Sequence, residues 1–271
     1  MFGLLTSLSI GLSDLFGRRV VAVRGPVPTG VVMQFVAIFT SIAALGVVDS
    51  SFVLGDFVVG VTSGLGMGVG LWAYFGGLRR SSAAVVAPIV AAISTVVPYA
   101  DAVVRGADPT LAAVVGAAVA LGGLVLVTID GGRVAHVAHG IRWGVVSGCG
   151  FAFGSSVVLE TSEASGSWPA VGQRVSAFVL MLVVARSIRV PAVPPVGVRA
   201  AAVIAGMLAG GSTVFFLLGV QAEATAAVVT ASLFPVVSVL VGRVVYGDVV
   251  VARQVVGLAV VLGGVILVAT G

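Results

Sequence analysis

Charged and amide side chains are so scarce in this chain that each one inside an apolar run raises a chemical question. Asp14 lies eleven residues after Gly3, about 16 Å along a helix rising 1.5 Å per residue, which is near the middle of a bilayer. A carboxylate there costs about 2.5–3.5 kcal/mol on insertion scales, so its presence points to a proton site or to a contact with a cationic part of a solute. Its other reading is structural, because Arg18 follows one turn later and an i,i+4 partner would anchor the helix end. Arg174 comes six residues after Trp168, about 9 Å deep by helical rise. It can clamp a carboxylate or phosphate of a solute, or snorkel to the interface and meet Glu160 or Glu163. Gln34 and Gln173 can present amides to a solute from two sides, or bond helix to helix for about 0.6 kcal/mol. Trp72 and Tyr74, a few residues before Arg79, suit an aromatic cavity wall or an interfacial belt.

Other chemistries find no constellation. Cys149 is the one cysteine, which leaves no internal disulfide and no cysteine-based metal cage. His136 and His139 have i,i+3 spacing but only Asp130 nearby, so a solvated loop is expected rather than a metal site. Gly148-x-Gly150-x-x-Phe153 lacks the third glycine of a dinucleotide fingerprint and lies in an apolar run, and no Walker A sequence exists. All 14 basic residues are Arg, scattered singly and in pairs, with no continuous basic stripe for nucleic acid. No catalytic residue, cofactor or metal is expected.

The elements that must position these side chains are set by hydropathy. Of the 271 residues 59% are hydrophobic and 9% charged, against about 25% charged in soluble domains. An ordinary water-soluble protein is thereby excluded. At roughly 20 residues per crossing, apolar runs predict ten spans near 2–20, 29–48, 57–78, 83–104, 110–129, 142–160, 168–186, 198–220, 224–246 and 250–270. Pro88, Pro98 and Pro235 fall inside these spans, where each removes a helical donor and either hinges the helix or lines a cavity, unless it is merely tolerated. Gly64, Gly66, Gly68 and Gly70 form small-x3-small faces suited to close helix packing.

The chain also repeats itself. Gly116-x5-Gly122-Gly123 returns as Gly257-x5-Gly263-Gly264, Ala83-Ala84-Val85-Val86 returns as Ala226-Ala227-Val228-Val229, and Gln34 falls opposite Gln173, in the same order at nearly one offset. The expectation is two five-helix repeats, residues 1–135 and 136–271. Five is odd, so like-folded halves must enter the membrane from opposite sides, and equivalent connections should carry opposite charge bias. They do: Arg18, Arg19 and Arg24 are answered by Glu160 and Glu163, Arg79 and Arg80 by Glu223, and Asp49 and Asp56 by Arg186, Arg189 and Arg199. Twelve of the 14 Arg lie at odd-numbered connections, Arg133 among them, which predicts those connections in the cytoplasm and both termini outside. An all-α inverted repeat of this kind is an architecture of secondary transporters.

Trp72-Ala73-Tyr74-Phe75-Gly76-Gly77-Leu78-Arg79, then Val85-Val86-Ala87-Pro88-Ile89, Val97-Pro98 and Gly116-x5-Gly122-Gly123, resembles the repeat of EamA-type transporters of the drug/metabolite transporter superfamily. Gly11-Leu12-Ser13-Asp14-Leu15-Phe16-Gly17 resembles the first-span signature of one branch, and Ser167-Trp168-Pro169 with Gln173-Arg174 its seventh-span counterpart. Where that family carries Gly-Glu after the fourth and ninth spans, this chain has Gly106-Ala107-Asp108-Pro109 and Gly247-Asp248. The resemblance implies a ten-helix inner-membrane carrier that moves small organic solutes, often outward, without ATP. The expected partners are the solute and the lipid bilayer, with no nucleic acid, and the sequence leaves open whether a second copy of the chain joins them. The rival expectations are an accessory scaffold subunit and a membrane-embedded enzyme acting on a lipid-linked substrate.

Overall fold

A computed structural model describes residues 1–106, 108, 110–128, 136–158, 160–231 and 233–270, and among them the chain is all-helical with no strand. In order, the helices are α1 (Phe2–Arg24), α2 (Pro26–Ala44), α3 (Leu54–Arg80), α4 (Ala83–Val104), α5 (Leu111–Thr128), α6 (Val137–Val158), α7 (Trp168–Ser187), α8 (Val196–Ala231), α9 (Phe234–Tyr246) and α10 (Ala252–Thr270). Seven of them, α2, α3, α4, α6, α7, α8 and α10, are long and apolar enough to cross a membrane, as a multi-pass membrane protein requires. α5 and α9 are apolar but shorter, and α1 owes its lower hydropathy to Asp14, Arg18, Arg19 and its serines. Asp130, Arg133, Ala107 and Pro109 lie outside the described residues.

One expected boundary moves. The eighth and ninth spans were expected to part near 221–223, at Gln221 and Glu223. The break instead lies beyond Ala231, and α8 runs 36 residues. Alanine is the strongest helix former and Gln and Glu are good ones, so one acid does not stop an alanine-rich run. Pro235 is therefore not inside a span: it occupies the first turn of α9, where its missing N–H goes unneeded. Pro88 and Pro98 are inside α4. Pro98 deprives the Ser94 carbonyl of its helical donor, and Pro88 does the same at Ala84.

Close approach of helices rests on glycine. A Cβ on Gly60, Gly64 or Gly68 would come 2.7 Å from Pro169 Cα, 2.9 Å from the Gln173 carbonyl carbon and 2.9 Å from Leu180 Cδ2, so this stripe seats α3 on α7. A Cβ on Gly66 or Gly70 would meet Gly154 N at 2.9 Å and Phe151 Cδ1 at 2.8 Å, seating the adjoining stripe on α6. Elsewhere α1 packs on α8 and α9, α6 on α3 and α4, α2 on α7 and α8, and α10 on α5 and α4. A buried cluster around Met33, Tyr74, Phe75, Leu78 and Val86 ties α2, α3 and α4 together with Val239 of α9 and Leu258 of α10.

Candidate functional site

The helices do not close completely on one another. A cavity of about 420 Å³ lies at the centre, and among the described residues every helix except α5 contributes to its wall. Its surface is mainly apolar, with Phe75, Phe151, Phe216, Phe234, Met33 and Met67, and it carries hydroxyls from Thr6, Ser13, Ser94, Thr95, Ser155 and Thr213. Among the described residues, two side chains that carry opposite charge line it: Asp14 from α1 and Arg174 from α7.

Asp14 is 8% exposed and is held by hydroxyls from two other helices. Tyr74 Oη of α3 donates to Asp14 Oδ2 at 2.6 Å, and Ser238 Oγ of α9 donates to the same oxygen. Neighbouring Ser13 donates to the Ala205 carbonyl of α8 at 2.9 Å, which fixes the rotation of α1 at this level. Arg18 is not the partner of Asp14. It reaches instead to Asp248, just past α9, in a two-pronged pair with Nη1–Oδ2 at 2.7 Å and Nη2–Oδ1 at 2.8 Å. A guanidinium fork matched to a carboxylate outweighs a single i,i+4 contact. Asp248 Oδ2 also accepts from Ala83 N at 3.2 Å, and the Arg18 guanidinium lies 4.5 Å from the centre of the Tyr246 ring. α1, α4 and α9 are thus clamped at one end of the cavity. Between Asp14 and the clamp only a void of about 10 Å³ is left, room for about one water.

Arg174 is 6% exposed, and it meets neither Glu160 nor Glu163. Nη1 donates to Gln34 Oε1 at 3.2 Å, and Nη2 donates to Thr213 Oγ1 at 2.7 Å and to the Ala209 carbonyl at 3.4 Å. All three acceptors are neutral, and Arg174 Nε has no acceptor. Among the described residues the ion pairs are Arg18–Asp248, Arg105–Asp101 and Arg105–Glu160, so Glu160 is engaged elsewhere and Arg174 has no counterion.

Of the remaining candidates, Tyr74 is in the cavity lining and the others lie outside it. Gln34 supports Arg174 from behind the wall, with its own Nε2 unpartnered. Gln173 Nε2 donates to Ser63 Oγ of α3 at 2.7 Å, so the two amides do not face one space from two sides. Trp72 stacks edge-on against Trp143 with centroids 4.9 Å apart and takes no part in the wall, whereas Tyr74 does. Pro88, Pro98 and Pro235 are absent from the lining, although Ser94, Phe234 and other neighbours are in it. Three partners escape a reading of the sequence: Ser238 and Thr213, because hydroxyls are common in this chain, and Asp248, which only its place after Gly247 marks.

The site and fold together define an all-helical protein, with helices able to cross a membrane, built around a central cavity that bears one acid and one base. No family model matches the chain, and no curated protein matches it. Twelve chains of solved structures resemble it. One, a crystal structure, superposes with a TM-score of 0.63 at 17% identity, covering 98% of this chain and 95% of that one. The likeness extends over the whole length and concerns the fold.

Proposed function

We propose that the chain is a secondary carrier of small organic solutes that works by alternating access, with two five-helix halves, residues 1–135 and 136–271, inverted about the membrane plane across ten spans. The observation that carries this reading is the cavity: it is ringed by nine helices, bears Asp14 and Arg174, and is shut at one end by the Arg18–Asp248 clamp. A scaffold has no use for ions beside an interior void, and burying them is costly.

The most extensive helix contacts fit two repeated halves, and an odd number of helices in each half makes the relation between them an inversion. Adding or subtracting five in the helix number turns α1 on α8 into α6 on α3, α2 on α8 into α7 on α3, and α1 on α9 into α6 on α4, while α5–α10 and α2–α7 map onto themselves. All of these contacts are present. At 13 residues α9 is the short member, about 20 Å by helical rise. Its amino end abuts the cavity through Phe234, and non-helical backbone at membrane depth is tolerated where protein or a water-filled cavity surrounds it. In this reading the clamp face lies in the cytoplasm, in an inner membrane, with both termini outside, and the Arg distribution supports it.

In this mechanism Asp14 exchanges a proton as the halves rock, since it touches both the cavity and the void behind it. Reconstituted protein should show saturable, gradient-driven solute flux, and Asp14→Asn should lower accumulation at least about tenfold while insertion stays normal. Full accumulation in Asp14→Asn removes the proton role. Absence of any flux, with a stoichiometric partner recovered in mild detergent, replaces the carrier with an accessory subunit.

A further inference from the structure

We propose that the cavity selects monoanions, specifically carboxylates with an apolar body, and that Arg174 is the group that binds them. This rests on the carrier reading for its purpose but on separate observations for its chemistry. A buried guanidinium without a carboxylate partner is an incomplete ion pair, and truncation data show how unfavourable such stranded charges are. Here the three acceptors around Arg174 are an amide oxygen, a hydroxyl and a backbone carbonyl, and none neutralises the charge. Nε is buried and has no acceptor, while Nη2, the other arm of the side-on Nε–Nη fork, holds the Thr213 hydroxyl and, at 3.4 Å, the Ala209 carbonyl, so a carboxylate that takes the fork gives Nε its acceptor and displaces the longer neutral contact. That fork is the geometry in which arginine takes a carboxylate through two parallel hydrogen bonds. A solute carboxylate supplies both the missing charge and the missing acceptor.

The rest of the wall fixes the class. Among the described residues Arg174 is the one cation on it, and the chain contains no Lys. A dianion such as a phosphate monoester would keep an unbalanced charge in an apolar space beside Asp14. Four phenylalanines and two methionines offer the remaining surface to a hydrocarbon or aryl body. The volume of about 420 Å³ lies in the range of small-molecule sites. Gln34 and Thr213 are positioning residues, holding the guanidinium across the space between α2, α7 and α8.

The test uses the purified full chain and three carboxylates that fit this volume, butyrate, isovalerate and phenylacetate, each beside its uncharged amide, together with phenyl phosphate. Thermal unfolding reports binding, because a ligand that prefers the folded state raises the apparent Tm with concentration. At least one carboxylate should stabilise the protein while its amide and phenyl phosphate do not. Arg174→Gln should weaken that carboxylate about 10- to 100-fold, the worth of hydrogen bonds to a charged group, and Arg174→Lys should restore part of it. The Tm without ligand, read in parallel, shows that Arg174→Gln is folded; if it is not, Gln34→Leu, which frees the guanidinium from its amide, should change carboxylate affinity and leave amide affinity alone. The proposal is overturned if no carboxylate exceeds its amide, if phenyl phosphate binds better, or if the preference survives Arg174→Gln. Flux separates this failure from that of the carrier: carboxylate binding without flux keeps the anion site and removes transport, whereas flux of amides undiminished in Arg174→Gln keeps transport and removes the site.

Discussion

Asp14 is held by two hydroxyls that come from helices far away in the chain, and this makes its support measurable. Tyr74→Phe deletes one donor without changing ring volume, and should cost about 0.5–2 kcal/mol, between the membrane average and the value for bonds to charged groups. The cost runs through the carboxyl, so in an Asp14→Ala background it should shrink, with a coupling of at least about 0.5 kcal/mol in a double-mutant cycle read by denaturant unfolding. Additive costs would mean that the Tyr74 hydroxyl stabilises the fold independently of the Asp14 carboxyl. Asp14 and Arg174 could be found from sequence because an ion in an apolar run is conspicuous on energetic grounds. Their partners could not be. Tyr74 is 60 residues from Asp14 and Asp248 is 230 from Arg18, and nothing local ranks those contacts above the i,i+4 pair that the sequence suggests.

At the scale of helices the glycine motifs were legible as faces but not as to which glycine of a pair would be used. In Gly122-Gly123 and Gly263-Gly264, only the second residue of each meets the other helix. A Cβ on Gly123 would lie 2.7 Å from Val261 N, and one on Gly264 would press on Ala120 N and the Gly116 carbonyl, while Gly122 and Gly263 face open space. Gly264→Ala should therefore pry α10 from α5 and destabilise the protein by about 1–3 kcal/mol, the usual cost of overpacking. Gly263→Ala, one residue earlier, should be neutral or stabilising, because alanine gains about 0.5–1 kcal/mol over glycine inside a helix. Equal effects of the two variants in thermal unfolding would contradict the packing. The α8–α9 boundary differs for another reason: polar residues at 221–223 read as a break, although Gln and Glu are good helix formers and α8 continues through them to Ala231. The true break is marked by Phe234-Pro235, where proline is compatible with a helix start.

For the whole molecule, the Arg18–Asp248 clamp is the one described ion pair close to the cavity, and the rocking proposed above requires it to part. The pair is 15% and 9% exposed at its two side chains, sheltered enough for its loss to matter. If it contributes about 2 kcal/mol to the closed arrangement, removing it raises the open population roughly thirtyfold. Arg18→Gln is the cleaner cut, since Asp248 then keeps its bond from Ala83 N and the start of α4 stays capped. Val241 lines the small void between the clamp and Asp14 and is a reporter for opening. In a Cys149→Ser background, which removes the native thiol, Val241→Cys should react slowly with a membrane-impermeant maleimide from the clamp face. Adding Arg18→Gln should raise that rate by about the same thirtyfold while labelling from the opposite face falls, because alternating access opens one side as it closes the other. A rise on both faces together would describe a leak, and an unchanged rate would mean that the clamp braces α1 against α9 without gating anything.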